Sequence, residues 1–513
     1  MADVQRKGEM NVKIKRSNTL RYGFNAAETE GAVQSKKVKK YNIQKLIQEL
    51  TEPFVWRDHI VKDLMKYWSK DATALDGGLF PTYMSNEGYK LSDNPEEWPE
   101  EIKAALASPD TNGLITPEYN FVRAHSRLTY ANGIAYHVTG KEVYLKQCKL
   151  GVEALINAID GNHGMFTRQE KKSGKWEQPR GERNSQDLAY GLTGMCMYYF
   201  LTHDKSVLHH IIQVKDYIFE TYFDQGKGYV TWLPKENMDN SVEIVAQLDQ
   251  IYAYMLFVTP SLPEPYQSEW KKDLKNLVDI LIYRFYSERY EFFWGQDTDS
   301  QVKRLGGDHT DFGHSVKTMW LILMTGVLLH DMSYVMFARE KIDRILKEAY
   351  ITKDKCWGRR FDENGKMDKD KEWWILAELD QATAILSLND PSYLHYLNNT
   401  YAYWFHYMVD HENGEIWHMV DGETNEPVLR YPKVHSWKTS LHSFEHALFG
   451  YMTSSQIKGE NFELYYAFAE DDDVNQAAPY IFRANKVSVD KYQELSFMED
   501  KNRVVKITYN SLR

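Results

Sequence analysis

Apolar residues recur with the spacing of α-helices from about Tyr41 onwards, and long irregular segments separate the helical runs. A similar helix end recurs along this pattern and divides it into units. Its copies span residues 139–145, 202–208 and 388–394, with weaker ones near Thr259 and Leu329. The copies lie about sixty residues apart, which is the length of a helical hairpin with a generous loop. The five copies enclose four such intervals, and one further hairpin before the first copy and one after the last bring the predicted number to six.

Six helical hairpins predict an all-α fold in which inner and outer helices close into an (α/α)6 toroid, here over residues 41–458. Helices at the centre of such a ring should be apolar nearly all round, as residues 191–200 and 320–329 are. An open solenoid is the alternative, but its repeats should match one another more evenly than these do. The pattern therefore favours a closed barrel.

The two ends of the chain have a different character from the helical region. Residues 1–40 are polar and rich in lysine without periodicity, which is typical of a flexible basic arm. Short β-branched and aromatic runs at 462–468, 486–489 and 503–509 are strand candidates. Residues 459–513 are therefore expected to form a small β-rich C-terminal extension.

Composition narrows the classes of partner. Aromatic residues make up 14% of the chain, and flat amphipathic rings suit sugar-binding clefts, although a packed helical core accounts for most of them. A net charge of −11 argues against nucleic acid as the main partner. The three cysteines are scattered, no apolar stretch is long enough to span a bilayer, and the N-terminus lacks the apolar region of a secretory signal. We expect a cytoplasmic protein without membrane contact.

Residues that are candidates for acid–base chemistry are concentrated in the loop before one apolar helical run. Gly313 precedes His314, and Asp308, His309 and Asp311 share the same loop. The first turn of an inner helix can face a central cavity, because the preceding loop must turn there. A lone histidine is more often structural than catalytic, but this loop carries more ionisable groups than a solvated turn needs.

A second cluster follows more than a hundred residues later. Trp437 and Lys438 precede His442, so an aromatic ring and a cation lie near a second acid–base group. The toroid could bring His442 and His314 to one cavity. Residues 442–446 also match the HxxEH pattern of inverted zinc peptidases, in which His442 and His446 would share a metal. That pattern is short and needs a third ligand, so we predict neither a metal nor another cofactor.

Several segments in this order resemble the N-acylglucosamine 2-epimerase superfamily, which includes cellobiose 2-epimerases and mannose isomerases. The resemblance covers roughly residues 55–452. The matching segments are an early Gly-Gly turn at 76–80, Arg127 ahead of 136–140, a WWxxAE-like segment at 371–378, Gly313 with His314, and Trp437-Lys438 with His442.

The resemblance implies an (α/α)6 barrel that opens a sugar ring and moves a proton next to the carbonyl, with His314 and His442 as the acid–base pair. Return of the proton to the opposite face of C2 gives epimerisation, and its return to C1 gives aldose–ketose isomerisation. The expected partner is a small sugar or sugar derivative, bound by a protein that is a possible homodimer. The predicted substrate-binding set comprises Arg127, Tyr190, Asp249, Asp311, Lys317, Trp374, Glu378, Trp437, Lys438 and Glu445.

Two positions depart from the family pattern. Lys317 stands where the family has a glutamate, and Glu445 stands where it has an arginine. The two changes could compensate as a swapped ion pair across the cavity. Two other functions stay open: a toroidal glycoside hydrolase or lyase that uses carboxylates such as Asp249 and Asp311, and a carbohydrate-binding protein without catalysis.

Overall fold

The computed structural model describes residues 41–92, 94–109, 115–179, 183–237, 241–297, 305–499 and 501–513, and the predicted basic arm lies outside these ranges. In chain order the described helices are α1 (Ile43–Glu49), α2 (53–68), α3 (Glu100–Ala107), α4 (Val122–Thr139), α5 (Glu142–Asn157), α6 (Ser185–Thr202), α7 (Lys205–Tyr222), α8 (244–258), α9 (266–285), α10 (Phe312–Leu329), α11 (Met332–Ala349), α12 (Trp373–Ser387), α13 (394–408) and α14 (Leu441–Lys458). Short 3₁₀ turns occur at Asp71–Thr73, Pro95–Glu97, Thr259–Ser261, Pro391–Tyr393 and Val474–Gln476.

The even-numbered helices from α4 to α14 form an inner ring, and α2, α5, α7, α9, α11 and α13 pack outside it. Every residue of α8 is buried, as is every residue of α4 from Ala124 to Val138. The outer helices instead bury a single stripe, as an amphipathic helix does on one apolar surface. The predicted (α/α)6 toroid is confirmed.

No apolar stretch long enough to span a bilayer was expected from the sequence, and helix α10 corrects this, because it passes that test by length and composition. In this fold 83% of its most apolar window is buried inside the protein, as expected for a core helix.

The ring closes through the two ends of the helical region. Helix α2 packs on α14, which also packs on α4. Gly450 allows this approach, because a Cβ atom there would lie 2.3 Å from the indole of Trp56. The sequence predicted separate hairpins before the first landmark and after the last. The structure corrects this, because the outer helix α2 packs on the inner helix α14 and the two together form the sixth inner–outer pair.

Short strands lie in the segments between the helices. They span Tyr119–Phe121, Arg168–Glu170, Trp176–Glu177, Phe223–Asp224, Tyr229–Val230, Tyr286–Ser287, Phe292–Phe293, Tyr350–Ile351, Cys356–Trp357, Arg360–Phe361, Met367–Asp368, Lys371–Glu372 and Met419–Val420. Antiparallel pairing between them ties each loop back on itself or to a neighbouring loop. Lys371–Glu372, for example, pairs with Met419–Val420 and so fixes the start of α12.

The C-terminal extension is a three-stranded antiparallel sheet of Phe462–Phe468, Asn485–Glu494 and Arg503–Asn510, with the last strand in the centre. The register pairs Leu464 with Ile507. The first strand packs on α4 and α6, where the hydroxyl of Tyr136 donates to the carbonyl of Tyr466 at 2.8 Å. The predicted β-rich extension is confirmed as part of the fold.

Candidate active site

The first turns of the inner helices meet at one end of the barrel, and two histidines lie there. His314 is in the first turn of α10 and His442 in the first turn of α14. Between these helices lies α12, and its Trp374 contacts both imidazoles. The ring centroids of Trp374 and His314 are 4.6 Å apart, and those of Trp374 and His442 are 6.1 Å apart. The structure therefore brings the predicted pair together around one indole.

Asp311 fixes the orientation of His314. It is the N-cap of α10, where one carboxylate oxygen accepts the backbone N–H of His314 at 2.8 Å. The other oxygen lies 2.6 Å from Nδ1 of the His314 ring. Burial opposes ionisation of Asp311, but the His314 charge and these hydrogen bonds lower its pKa below the ordinary value. The ionised carboxylate therefore accepts a hydrogen bond from Nδ1–H.

Tyr252 of α8 holds His442. Its hydroxyl lies 3.0 Å from Nδ1 of His442 and donates to Oε2 of Glu445 at 2.7 Å. A hydroxyl has one proton, so Tyr252 accepts from Nδ1–H of the imidazole. Burial lowers the pKa of His442 well below its ordinary value, and the charges of Lys317 and Arg127 add to this effect. His442 is therefore a neutral imidazole whose Nε2 lone pair is available.

Lys317 and Asp249 form a buried ion pair beside the histidines. The ammonium lies 2.7 Å from the carboxylate, and the two side chains are 3% and 2% exposed. Gln186 and Tyr190 also donate to Asp249, at 2.6 and 3.1 Å. Burial disfavours the ionised carboxylate, yet the Lys317 charge lowers the pKa of Asp249 to about 2.

The swapped ion pair between Lys317 and Glu445 predicted from the sequence is wrong. Helix α8, which carries Asp249, lies next to α10 in the ring, whereas α12 stands between α10 and α14. The Lys317 ammonium lies 3.5 Å from the centroid of the Tyr252 ring, and the hydroxyl of that ring bonds Glu445. Lys317 is therefore neutralised by the carboxylate of Asp249, which lies on the neighbouring inner helix α8.

Glu445 instead accepts three hydrogen bonds. They come from Tyr252 at 2.7 Å, Gln381 at 3.0 Å and Tyr480 at 2.7 Å. Burial raises the pKa of Glu445 above its ordinary value, and the nearby Glu378 carboxylate raises it further. Two buried carboxylates at close range favour a state in which one of them holds a proton.

Within the described part of the protein, one of the two carboxyl oxygens of Glu378 accepts a hydrogen bond. The indole of Trp320 donates to its Oε2 at 2.8 Å. Its Oε1 lies 3.2 Å from Nδ1 of His442, but without hydrogen-bond geometry. Burial raises the pKa of Glu378. Because Glu445 has more hydrogen-bond donors, Glu378 is the better place for the proton of the carboxylate pair.

The zinc alternative for residues 442–446 does not fit this arrangement. His446 lies 3.1 Å from Asp380 and packs against the indole of Trp404, in the layer between the inner and outer rings. The donor atoms of Glu378, His442 and Glu445 do lie within 4.8 Å of one another, close enough to hold a metal ion. However, the three donors aimed at Glu445 direct positive hydrogen atoms into this space, which favours a proton-sharing group over a cation.

Arg127 and Tyr190 line the neighbouring part of the site. The guanidinium of Arg127 is buried, stacks over the Tyr190 ring at 3.9 Å and donates to the backbone carbonyl of Trp437. The ring of Trp437 is 58% exposed, so its backbone and not its indole joins the site. Of the two predicted substrate-binding tryptophans, the structure therefore places only the ring of Trp374 between the two histidines.

Lys438 lies away from the two histidines. Its side chain is fully buried, donates to the carbonyl of Ile416 at 2.9 Å and lies 3.8 Å from Glu415. Its ammonium faces the Trp373 ring at 5.6 Å. Burial lowers the pKa of Lys438 to about 8. These contacts fix a loop and do not present the ammonium to a substrate near His442.

Sequence reasoning missed two tyrosines in the hydrogen-bond network of His442, which are Tyr252 and Tyr480. Tyr252 follows Asp249 by three residues, and this helical spacing puts both side chains on one face of α8. That spacing was a usable signal. Tyr480 comes from the C-terminal extension, outside the repeated helical pattern, and no local pattern points to it.

Comparison with known proteins establishes the fold. No protein-family model matches the chain, and no curated protein sequence is detectably similar to it. Among solved structures, the cellobiose 2-epimerase from Bacillus thermoamylovorans B4167 is 17% identical with a TM-score of 0.64, covering 78% of this chain and 98% of that one. A D-mannose isomerase is 16% identical with a TM-score of 0.62, covering 78% and 98%.

An α-mannanase of glycoside hydrolase family 76 from Bacteroides thetaiotaomicron is also similar, at 11% identity and a TM-score of 0.52, covering 81% and 98%. At such identities the likeness defines the architecture, which these sugar-processing enzymes share. The resemblance to sugar epimerases and isomerases inferred from the sequence is confirmed at the level of the fold.

Proposed function

We propose that the protein is a sugar epimerase or aldose–ketose isomerase that moves a proton next to the carbonyl of a ring-opened sugar. The observation that carries this proposal is the pair of histidines around Trp374. Each ring has its Nδ1 held by a hydrogen bond, His314 by Asp311 and His442 by Tyr252. Within the described part of the chain neither Nε2 atom has a hydrogen-bond partner, so both are available to a substrate.

The two environments support different roles. His442 is neutral because burial, together with the charges of Lys317 and Arg127, lowers its pKa, and a neutral imidazole suits the base that removes the C2 proton. Asp311 accepts the Nδ1–H of His314 and so leaves Nε2 to carry a proton towards the substrate, which suits the acid. The electron pair of the C2–H bond forms an enediolate. Delivery of a proton from His314 to the other face of C2 inverts that carbon, and return of the proton from His442 to C1 gives the ketose–aldose exchange.

Positive charge stabilises the negatively charged enediolate, and an apolar surface can bind the C–H face of the sugar that carries it. The N-termini of the inner helices converge at this end, and the helix dipoles favour a developing negative charge there. The Arg127 guanidinium lies over the neighbouring Tyr190 and adds a fixed positive charge. The face of Trp374 between the two imidazoles suits the apolar C–H face of a sugar.

A glycoside hydrolase that uses Asp249 and Asp311 is the second candidate, and the α-mannanase shares its fold. Hydrolysis needs one carboxylic acid with a raised pKa to protonate the leaving group. Lys317 and His314 lower the pKa of Asp249 and Asp311 instead. These two carboxylates therefore support the hydrolase less well than the two histidines support proton transfer.

Proton NMR of reducing sugars incubated with the protein in D₂O tests the proposal. Deuterium should enter at C2 of at least one sugar, and His314→Gln and His442→Gln variants should lose this exchange. A matched glycoside without a free reducing end should stay unchanged, because its ring cannot open. Cleavage of the glycoside without C2 exchange in any sugar would replace this proposal with the hydrolase. Sugar binding without either reaction would leave a carbohydrate-binding protein.

A further inference from the structure

Tyr480 carries the C-terminal extension into the middle of the barrel. It belongs to the segment between the first two strands of the extension, and its side chain is only 2% exposed. Its ring stacks on Phe257 of α8 with centroids 5.3 Å apart. The backbone of Tyr480 has φ of +57°, a left-handed conformation that is uncommon outside glycine. Such a conformation persists only where the surroundings determine it, and it often marks a functional position.

A continuous chain of hydrogen bonds joins this tyrosine to His442. The hydroxyl of Tyr130 donates to that of Tyr480 at 2.9 Å, and Tyr480 donates to Oε1 of Glu445 at 2.7 Å. Tyr252 donates to the other oxygen of Glu445 and accepts from Nδ1–H of His442. Every donor in this chain therefore points towards Glu445.

We propose that the C-terminal extension is part of the acid–base apparatus, with Tyr480 as a positioning residue that fixes the ring proton of His442 on Nδ1 through Glu445 and Tyr252. The effect on the reaction rate rests on the proposed function. The link between Tyr480 and the tautomer of His442 rests on the hydrogen bonds alone.

The direction of these hydrogen bonds explains how Tyr480 acts. Hydrogen bonds to a carboxylate favour its ionised form, so the Tyr480 hydroxyl helps to keep Glu445 charged. Without that hydroxyl, Glu445 takes up one proton from solvent more readily. A protonated Glu445 can donate to the Tyr252 oxygen, and the Tyr252 hydroxyl can then donate to Nδ1 of His442. The ring proton then lies on Nε2, and the base no longer has a free lone pair towards the substrate.

Histidine NMR of the protein labelled with ¹⁵N in its imidazoles tests the link without any substrate. The His442 signals are assigned by their loss in His442→Gln and followed against pH in three proteins: the wild type, Tyr480→Phe and Tyr509→Phe. Tyr509 is the matched control, because its buried hydroxyl also belongs to the extension and bonds Tyr466 at 2.8 Å. Tyr509 has no described contact with Glu445.

We expect the neutral Nδ1–H tautomer in the wild type and in Tyr509→Phe. In Tyr480→Phe, the change to the Nε2–H tautomer should move to higher pH by about one unit, the scale of one hydrogen bond to a charged group. Glu445→Gln, which cannot ionise, should favour the Nε2–H tautomer at every pH and keeps the test open if Tyr480→Phe does not fold. Identical His442 spectra in the wild type, Tyr480→Phe and Glu445→Gln would overturn the proposal.

A kinetic measurement adds the second arm. If a sugar shows C2 exchange, Tyr480→Phe should lower kcat by about tenfold with little change in KM, because the base and not the sugar contacts is affected. Tyr509→Phe should keep both constants. An unaltered kcat in Tyr480→Phe together with a shifted tautomer would refute the catalytic consequence. Absence of C2 exchange in the wild type would refute the proposed function, and the NMR result would still decide the link from Tyr480 to His442.

Discussion

Loss of Lys317 should leave a buried carboxylate without its counter-ion. In a Lys317→Met variant, Gln186 and Tyr190 are the side chains in the described part of the protein that still donate to Asp249. Both members of the ion pair are almost fully buried, so solvent does not screen their interaction. Removal of one partner of a buried pair typically costs about 3–5 kcal/mol, because the remaining charge is uncompensated.

The pKa of Asp249 gives an independent value for the stability that this ion pair contributes. Its value of about 2 is lower than the ordinary value of an aspartate by about two units, which corresponds to about 3 kcal/mol at neutral pH. A group with a lowered pKa contributes this stability above its unfolded pKa and loses it as pH falls towards 2. Asp249 in Lys317→Met should instead protonate more readily, because burial is then no longer opposed by the Lys317 charge. We therefore expect a loss of about 3 kcal/mol at pH 7 and a smaller loss at pH 4.

Urea unfolding of four proteins measures this coupling: the wild type, Lys317→Met, Asp249→Asn and the double variant. The double variant should be more stable than the sum of the single losses by at least about 2 kcal/mol, since it leaves no unmatched charge. Glu445→Gln, the control, should not restore the stability of Lys317→Met. Additivity within about 0.5 kcal/mol for Lys317 and Asp249 would refute the ion pair and the packing of α8 against α10 on which it depends.

Three further predictions follow from the site and the core. Replacement of His314 or His442 by glutamine should lower C2 exchange by at least about a hundredfold while the melting temperature changes little; near-normal exchange in either variant would exclude that residue as acid or base. Burial lowers the pKa of His125 and of His137 to about 4, so their contribution to stability is complete above pH 6.5 and falls as pH decreases, by about 3 kcal/mol each at pH 4; a urea midpoint that stays constant from pH 7 to 4.5 would contradict this. Activity should survive prolonged chelation, and loss of activity that zinc restores would instead make the buried Glu–His group a metal site.

The sequence was sufficient to predict a closed ring of helices, but it did not show which two helices close that ring. Repeated helix ends predict the number of hairpins, and the nearly all-round apolar character of residues 191–200 in α6 and 320–329 in α10 predicts that these helices are inside. The amphipathic pattern of α2 shows only that one face is buried. It carries no information about which helix covers that face, so the pairing of α2 with α14 needed the structure.

In the candidate site, too, the sequence predicted some residues and could not predict others. His314, His442 and Trp374 could be found because motifs place them at the starts of inner helices. The partner of Lys317 could not, because opposite charges in the sequence do not specify which helices are neighbours in the ring. Tyr480 was also beyond prediction. Its role depends on how the extension packs into the barrel, which no periodicity of residues 459–513 encodes.

Closure of the barrel by α2 and α14 also sets the order in which the chain can complete its fold during synthesis. Residues 53 and 441, where these two helices begin, are 388 positions apart in the sequence. At about 5–20 residues per second, α2 waits for about 20–80 seconds before its partner has been made. Until then the growing chain is an open arc, with the apolar face of α2 at one edge and the newest helix at the other. Such exposed edges are prone to aggregation, so assistance by chaperones should matter most for this protein just before its last helix emerges.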